Sequence, residues 1–195
     1  MIKVYGQVAS RAFRVLWALE EIGLEYELVD AGPQSDTVRA VSGLGKIPAL
    51  EVDGAILTDS VAIMTFLADR HGALTFEAGT VERGRQDGFT ERVNDEFDAL
   101  LWMAARHGRI LPKAHRVPEV IPSLKWEFGR NMERLAAEFE GPYLMGETMT
   151  IADILLGHCI GWATLAEFPI ESEKMQAYGK ALRSRDAYKA VRAKA

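Results

Sequence analysis

Apolar and polar positions alternate at Ile2-Lys3-Val4-Tyr5, and Gly6 closes the run, so the chain opens on a strand. The period then changes. Ala12, Val15, Leu16, Leu19 and Ile22 fall on one helical face, and Gly23 stands where a left-handed helix stop is expected. Tyr26 to Asp30 alternates again as a second strand. Ala31 to Leu44 is loop-like, with Gly32-Pro33 and Ser42-Gly43, and has room for a short helix from about Asp36 to Val41. Two short apolar runs, Gly45 to Val52 and Ala55 to Thr58, flank Asp53-Gly54, the strongest short-range signal for a hairpin. Asp59-Ser60 then precedes the stripe Ile63, Met64, Phe66, Leu67, a helix that ends near Gly72.

Strand signals vanish after about Val81. Phe89, Val93, Phe97, Leu100, Leu101 and Ala104 mark one face of a long helix ending around Gly108. Val120, Ile121, Leu124, Phe128, Leu135 and Phe139 mark a second, stopped by Gly141-Pro142. Thr150-Ile151-Ala152-Asp153 has the pattern of a capping box, with Asp in place of the more usual Glu. The helix that follows is apolar nearly all round and should be the buried centre of a helical domain. Met175, Tyr178, Ala181 and Leu182 suggest a further helix, and Tyr188 with Val191 a short last one. The expected fold is α/β plus all-α. A thioredoxin-like module covers residues 1–75, and an all-helical domain covers residues 81–195.

Composition narrows the functional classes. At 195 residues and 48% hydrophobic, the chain can bury a sizeable core. Its net charge of −5 argues against nucleic acid, and no basic stripe stands out against that balance. Met1 to Tyr5 is too short an apolar run for a signal peptide, and no stretch is long and apolar enough to span a bilayer. A cytoplasmic location is expected, with neither membrane nor nucleic acid as a partner. The single cysteine, Cys159, excludes an internal disulfide and any paired-cysteine motif, and in its apolar helix it reads as an inert core residue. His71, His107, His115 and His158 are scattered without metal-ligand spacing, so no metal is expected.

Four stretches stand together in order: Arg14-Val15-Leu16-Trp17-Ala18-Leu19-Glu20-Glu21, Gly45-Lys46-Ile47-Pro48-Ala49-Leu50, Asp59-Ser60 and Thr150-Ile151-Ala152-Asp153. With the two-part layout, they make the whole chain resemble the cytosolic glutathione transferases, in their serine-type, theta-like branch. Two departures are plain. The family often has Asn-Pro where this chain has Ser42-Gly43, and Glu-Ser where it has Asp59-Ser60. The second keeps the charge and shortens the reach.

The resemblance implies a homodimer that binds glutathione as co-substrate and conjugates its thiolate to small, mostly apolar electrophiles, as in detoxification. It implies that Ser60 receives the γ-glutamyl carboxylate, that Asp59 lies near the ammonium, and that Ile47 pairs with the extended peptide beside a cis Pro48. Lys46 would approach the glycyl carboxylate. By sequence alone, Ser60 also reads as a helix cap and Asp59 as a complement to the helix dipole, roles that can coexist with binding, while a trans edge-strand proline is the more common case for Pro48 and Lys46 also reads as a solvated side chain.

Activating the thiol is the chemical difficulty. A free thiol of pKa about 8.5 is a few per cent ionised at neutral pH, and lowering it by about two units takes roughly 2.7 kcal/mol. A hydrogen bond to a charged group contributes about 1.5–3 kcal/mol. A helix N-terminus adds about 0.3–1 kcal/mol. One hydroxyl at the start of the first helix is therefore enough, and Ser10 is that hydroxyl, with Ala9 and Arg11 beside it. Tyr5, near the end of the first strand, is the rival, since other branches of the family use a tyrosine there. Trp102, Met103, Arg106 and His107 are candidates to line an electrophile pocket between the domains, or else are packing and surface residues. The competing reading is a non-catalytic ligand-binding or protein-docking module on the same fold.

Overall fold

The computed structural model describes all 195 residues. In chain order the elements are β1 (Lys3–Gly6), α1 (Ala12–Ile22), β2 (Glu27–Asp30), α2 (Asp36–Val41), β3 (Ala49–Val52), β4 (Ala55–Thr58), α3 (Ser60–His71), α4 (Val81–Val93), α5 (Ala99–Ala105), α6 (Ile121–Glu138), α7 (Ile151–Leu165), α8 (Glu173–Ser184) and α9 (Asp186–Arg192). Residues 1–83 with 183–195 form one compact unit, and residues 84–182 form another.

The first unit is built on a four-stranded mixed sheet of order β2-β1-β3-β4. β1 and β2 are parallel, which requires a crossover, and α1 supplies it. β3 runs antiparallel to β1, and β4 antiparallel to β3. Asp53 (φ 52°) and Gly54 (φ 77°) are both left-handed, as a two-residue hairpin turn requires. The expected thioredoxin-like module is therefore present, including the short α2, whose N-terminus is capped by the Ser35 hydroxyl accepting the Val38 N–H. Gly23 ends α1 in the left-handed conformation.

α1 is buried along its length from Ala12 to Leu19, more than a single helical stripe predicts. It packs on β1, α3 and α9, so little of its circumference meets water. The ring of Tyr188 on α9 lies edge-on to Phe13 (4.9 Å) and Trp17 (5.0 Å). The Arg185 guanidinium donates to both oxygens of Glu21 at 2.5 and 2.7 Å. Lys194 lies 3.5 Å from Glu20. The last helix thus lies with the sheet unit rather than with α4–α8.

The second unit is helical. Where sequence predicts one long helix, α4 and α5 are separated by a π-helical turn at Asn94–Asp98, and another at Arg106–Ile110 follows α5. Phe97 lies edge-on to Phe128, which lies edge-on to Phe168, at 5.3 and 5.2 Å. α7 is the buried centre expected of it, with Cys159 fully enclosed. Asp153 is fully buried. It accepts hydrogen bonds from the Leu144 N–H (2.8 Å), the Tyr178 hydroxyl (2.8 Å), the Thr150 N–H (2.8 Å) and the Thr150 hydroxyl (3.2 Å). Burial raises its pKa above the usual carboxylate value, and these four donors oppose the rise.

Replacing Asp153 by Ala leaves those donors buried without an acceptor. Unfolding in urea should show a loss of about 3 kcal/mol or more, with Asp153→Asn milder because one oxygen acceptor survives.

Candidate functional site

The register of the sheet decides which residues meet. Tyr5 on β1 stands opposite Ala49 on β3, and Ala49 stands opposite Thr58 on β4. One step further along each strand lie Gly6, Pro48 and Asp59. The end of β1, the entrance of β3 and the start of α3 therefore share one end of the sheet, and the turn into α1 leaves from the same end.

Gly6 permits the close approach there. A Cβ at this position would lie 2.6 Å from the Cβ of Ala12, 3.6 Å from the Cβ of Ile47 and 3.8 Å from the Cα of Pro48. The Ile47–Pro48 peptide bond is cis. Pro48 is buried, Ile47 half-buried and Lys46 exposed.

Ser10 sits at the turn into α1, partly exposed. Its hydroxyl donates to the Gln7 carbonyl at 2.6 Å and accepts the Ala12 N–H at 3.1 Å. Its oxygen is thus fixed beside the first turn of the helix. Its proton points to Gln7 and must rotate to reach a ligand.

Asp59 is the N-cap of α3, and it is strained. Its φ of 71° with ψ of 128° is rare for a residue with a side chain. Its carboxylate accepts the N–H groups of Val61 (2.9 Å) and Ala62 (3.2 Å). Capping therefore falls to Asp59, and Ser60 is the first helical residue. Ser60 is only 3% exposed, and its hydroxyl accepts from the Arg14 guanidinium at 3.3 Å.

Two residues that sequence reasoning left unassigned hold this end together. Arg14 is 1% exposed, so a positive charge from α1 is buried at the start of α3. The available signal was a cation inside an otherwise apolar helical run. Gln34 lies in the loop-like stretch. Its backbone N–H donates to the Gly45 carbonyl at 2.8 Å, and its side chain donates to the carbonyls of Leu44 (3.0 Å) and Gly45 (3.2 Å). Gly45 has φ 61°, and a Cβ there would lie 2.8 Å from the Gln34 side chain. This clamp sets the path of the chain into Lys46-Ile47-Pro48, and nothing in the local pattern announced it.

Tyr5 is engaged elsewhere. Its hydroxyl donates to Glu51 at 2.6 Å. That hydrogen bond, then burial, pushes its pKa up to about 12. In the second unit, Trp102 and Met103 are about one-third exposed (37% and 36%), and Arg106 and His107 are half-buried. No group of three or more His, Cys, Asp or Glu side chains is placed to hold a metal ion. No helix is long and apolar enough to cross a membrane.

Residues 10–70 match the family model of the glutathione S-transferase N-terminal domain. The chain is 24% identical over 159 residues to glutathione S-transferase alpha I of Oryctolagus cuniculus, covering 78% of this chain and 68% of that protein. A theta class glutathione S-transferase from Xanthomonas axonopodis pv. citri, solved with glutathione bound, is 27% identical and superposes with a TM-score of 0.79 over 97% of this chain and 95% of that one. The chain is thus similar to glutathione transferases, in residues 10–70 by sequence and over its length by fold. The likeness of fold extends to the β-etherase LigF of Sphingobium sp. strain SYK-6, at 19% identity, TM-score 0.86, and coverage of 100% of this chain and 99% of that one. Ser10, Lys46, Ile47, Pro48, Asp59 and Ser60 all fall in the matched segment, and Tyr5 lies outside it.

A Tyr5 hydroxyl held by Glu51 should stay protonated until about pH 12, measurable as the ultraviolet titration component lost in Tyr5→Phe. The sign follows from linkage. The folded state keeps a proton that the unfolded chain releases near pH 10, so stability falls as pH rises from about 10 to about 12. Tyr5→Phe should remove that part of the decline.

Proposed function

We propose that this protein binds glutathione at the end of the sheet described above and conjugates its thiolate to small, mostly apolar electrophiles. The carrying observation is the convergence of the Ser10 turn, Ile47–Pro48 and Asp59–Ser60 at one sheet end. The strained, exposed carboxylate of Asp59 adds support, because backbone strain is concentrated where function over-determines it.

In this reading the γ-glutamyl carboxylate meets the Ser60 N–H, which the Asp59 cap leaves to a ligand. Arg14 holds the Ser60 hydroxyl and contributes positive potential. Asp59 receives the ammonium through the carboxylate oxygen outside its capping bonds. The peptide extends along Ile47 by strand addition, with Lys46 toward the glycyl carboxylate. Ser10 turns its hydroxyl from Gln7 to donate to the sulfur, and the thiol proton is released to water. The thiolate then attacks the electrophilic carbon through its own electron pair, and the leaving group departs with the pair from the broken bond. Tyr5, its hydroxyl committed as a donor to Glu51, takes no part. We place the protein in the cytoplasm as a homodimer, which sedimentation tests.

The observation that favours the non-catalytic alternative is the hydroxyl of Ser10, already satisfied on both sides. Two measurements separate the readings. Calorimetry should show glutathione binding, and absence of binding at millimolar concentration favours the alternative. Titration of the bound thiol should give a pKa well below about 8.5, and a value unchanged from that removes the mechanism. Ser10→Ala should slow conjugation about ten- to a hundred-fold, equivalent to about 1.4–2.7 kcal/mol, with binding largely kept. An unchanged rate moves activation to backbone donors.

A further inference from the structure

From Ala99 to Pro118 the chain carries Arg106, Arg109, Lys113 and Arg116 and no Asp or Glu. The whole-chain balance, 23 Lys and Arg against 28 Asp and Glu, conceals this run. The segment lies entirely in the second unit. None of the four cations is held in an ion pair with a carboxylate.

The segment is an ordered turn. The Leu111 N–H donates to the Arg106 carbonyl at 3.0 Å. The Arg116 guanidinium donates to the carbonyls of Leu111 (2.7 Å) and Arg109 (2.5 Å), so it fastens the turn and keeps its charge. The Val117 N–H donates to Nδ1 of His107 at 3.1 Å. These bonds bring Arg109-Ile110 and Arg116-Val117 side by side. Ile110 and Val117 are each about half exposed, at 50% and 51%. Arg109, Lys113 and His115 are exposed around them.

We propose that this turn is a contact for an anionic lipid surface. Cations meet the phosphate and carboxylate headgroups, while Ile110 and Val117 enter the boundary between headgroups and acyl chains. The composition selects this partner over others. A stable protein interface takes about 20–30 residues a side with matched hydrogen bonds, and the turn offers about a dozen residues and no carboxylate or amide side chain between Ala99 and Pro118. Single-stranded nucleic acid needs a series of aromatic platforms, and Trp102 is the one Phe, Tyr or Trp between Ala99 and Pro118. The remainder of the acidic chain repels such a surface, but at physiological salt that repulsion is screened beyond about 8 Å. The inference rests on the second unit alone and stands or falls independently of glutathione.

The test is co-sedimentation of the full chain with vesicles of phosphatidylcholine alone, or of phosphatidylcholine with about one-third phosphatidylserine, at about 0.05 M and about 0.5 M salt. Binding should occur only to the anionic vesicles, and only at the lower salt. The double variant Arg109→Gln, Lys113→Gln, at exposed side chains held by no hydrogen bond or ion pair, should bind about 25-fold more weakly, at about five-fold per charge, with an unchanged circular dichroism spectrum. No binding to anionic vesicles, or equal binding by the variant, overturns the proposal. So does tighter association with duplex DNA or polyglutamate than with the vesicles at equal salt.

Discussion

Three backbone segments meet at Gly6 with no room for a methyl group between them, and the candidate site depends on that approach. A Cβ at Gly6 would overlap Ala12 and touch Ile47 and Pro48. Close packing of this kind leaves no soft direction in which the Ser10 turn could drift from the β3 entrance. The same end of the sheet is held from two further sides. Gln34 fixes the chain ahead of Lys46, and buried Arg14 ties α1 to the first residue of α3. The geometry is thus set by backbone and by side chains bonded to other parts of the chain. That is what a site needs if its ligand-facing residues are to be pre-organised.

Electrostatics at that end are divided between elements. The α3 N-terminus carries its own partial positive charge, and Arg14 adds a full one beneath it. Asp59 uses one carboxylate oxygen to cap the helix while remaining exposed. Anion-seeking and cation-seeking groups therefore sit one residue apart, which suits a zwitterionic head better than a simple anion. Tyr5 is the counterexample. It is near the same end, but its hydroxyl keeps its proton and donates it in a hydrogen bond to Glu51, so that donor is directed away from a thiolate.

Much of this was legible in the chain. The alternation at Ile2 to Tyr5, the Asp53-Gly54 pair and the stripe after Ser60 are local signals, and local sterics carry them into β1, the hairpin and α3. Asp59 and Ser60 were visible as a helix start, but their division of labour was not. Which of two adjacent polar residues caps depends on φ at Asp59 and on Arg14, which the fold brings to Ser60 from 46 positions away along the chain. Gln34 gave no signal because its partners, Leu44 and Gly45, are brought to it only by the fold. The packing of Tyr188 on Phe13 and Trp17 is likewise long-range and cannot be read from periodicity. The cation run at 106–116 was readable, and the negative charge of the whole chain obscured it.

The central claim is that the Ser10 turn, Ile47–Pro48 and Asp59–Ser60 form one glutathione site. A crystal structure of the protein with glutathione tests it most directly. The account predicts the γ-glutamyl carboxylate on the Ser60 N–H, the peptide backbone paired with Ile47, and the sulfur within hydrogen-bonding distance of the Ser10 hydroxyl. Glutathione bound away from this end of the sheet, or seated there with its sulfur directed away from Ser10, would contradict it.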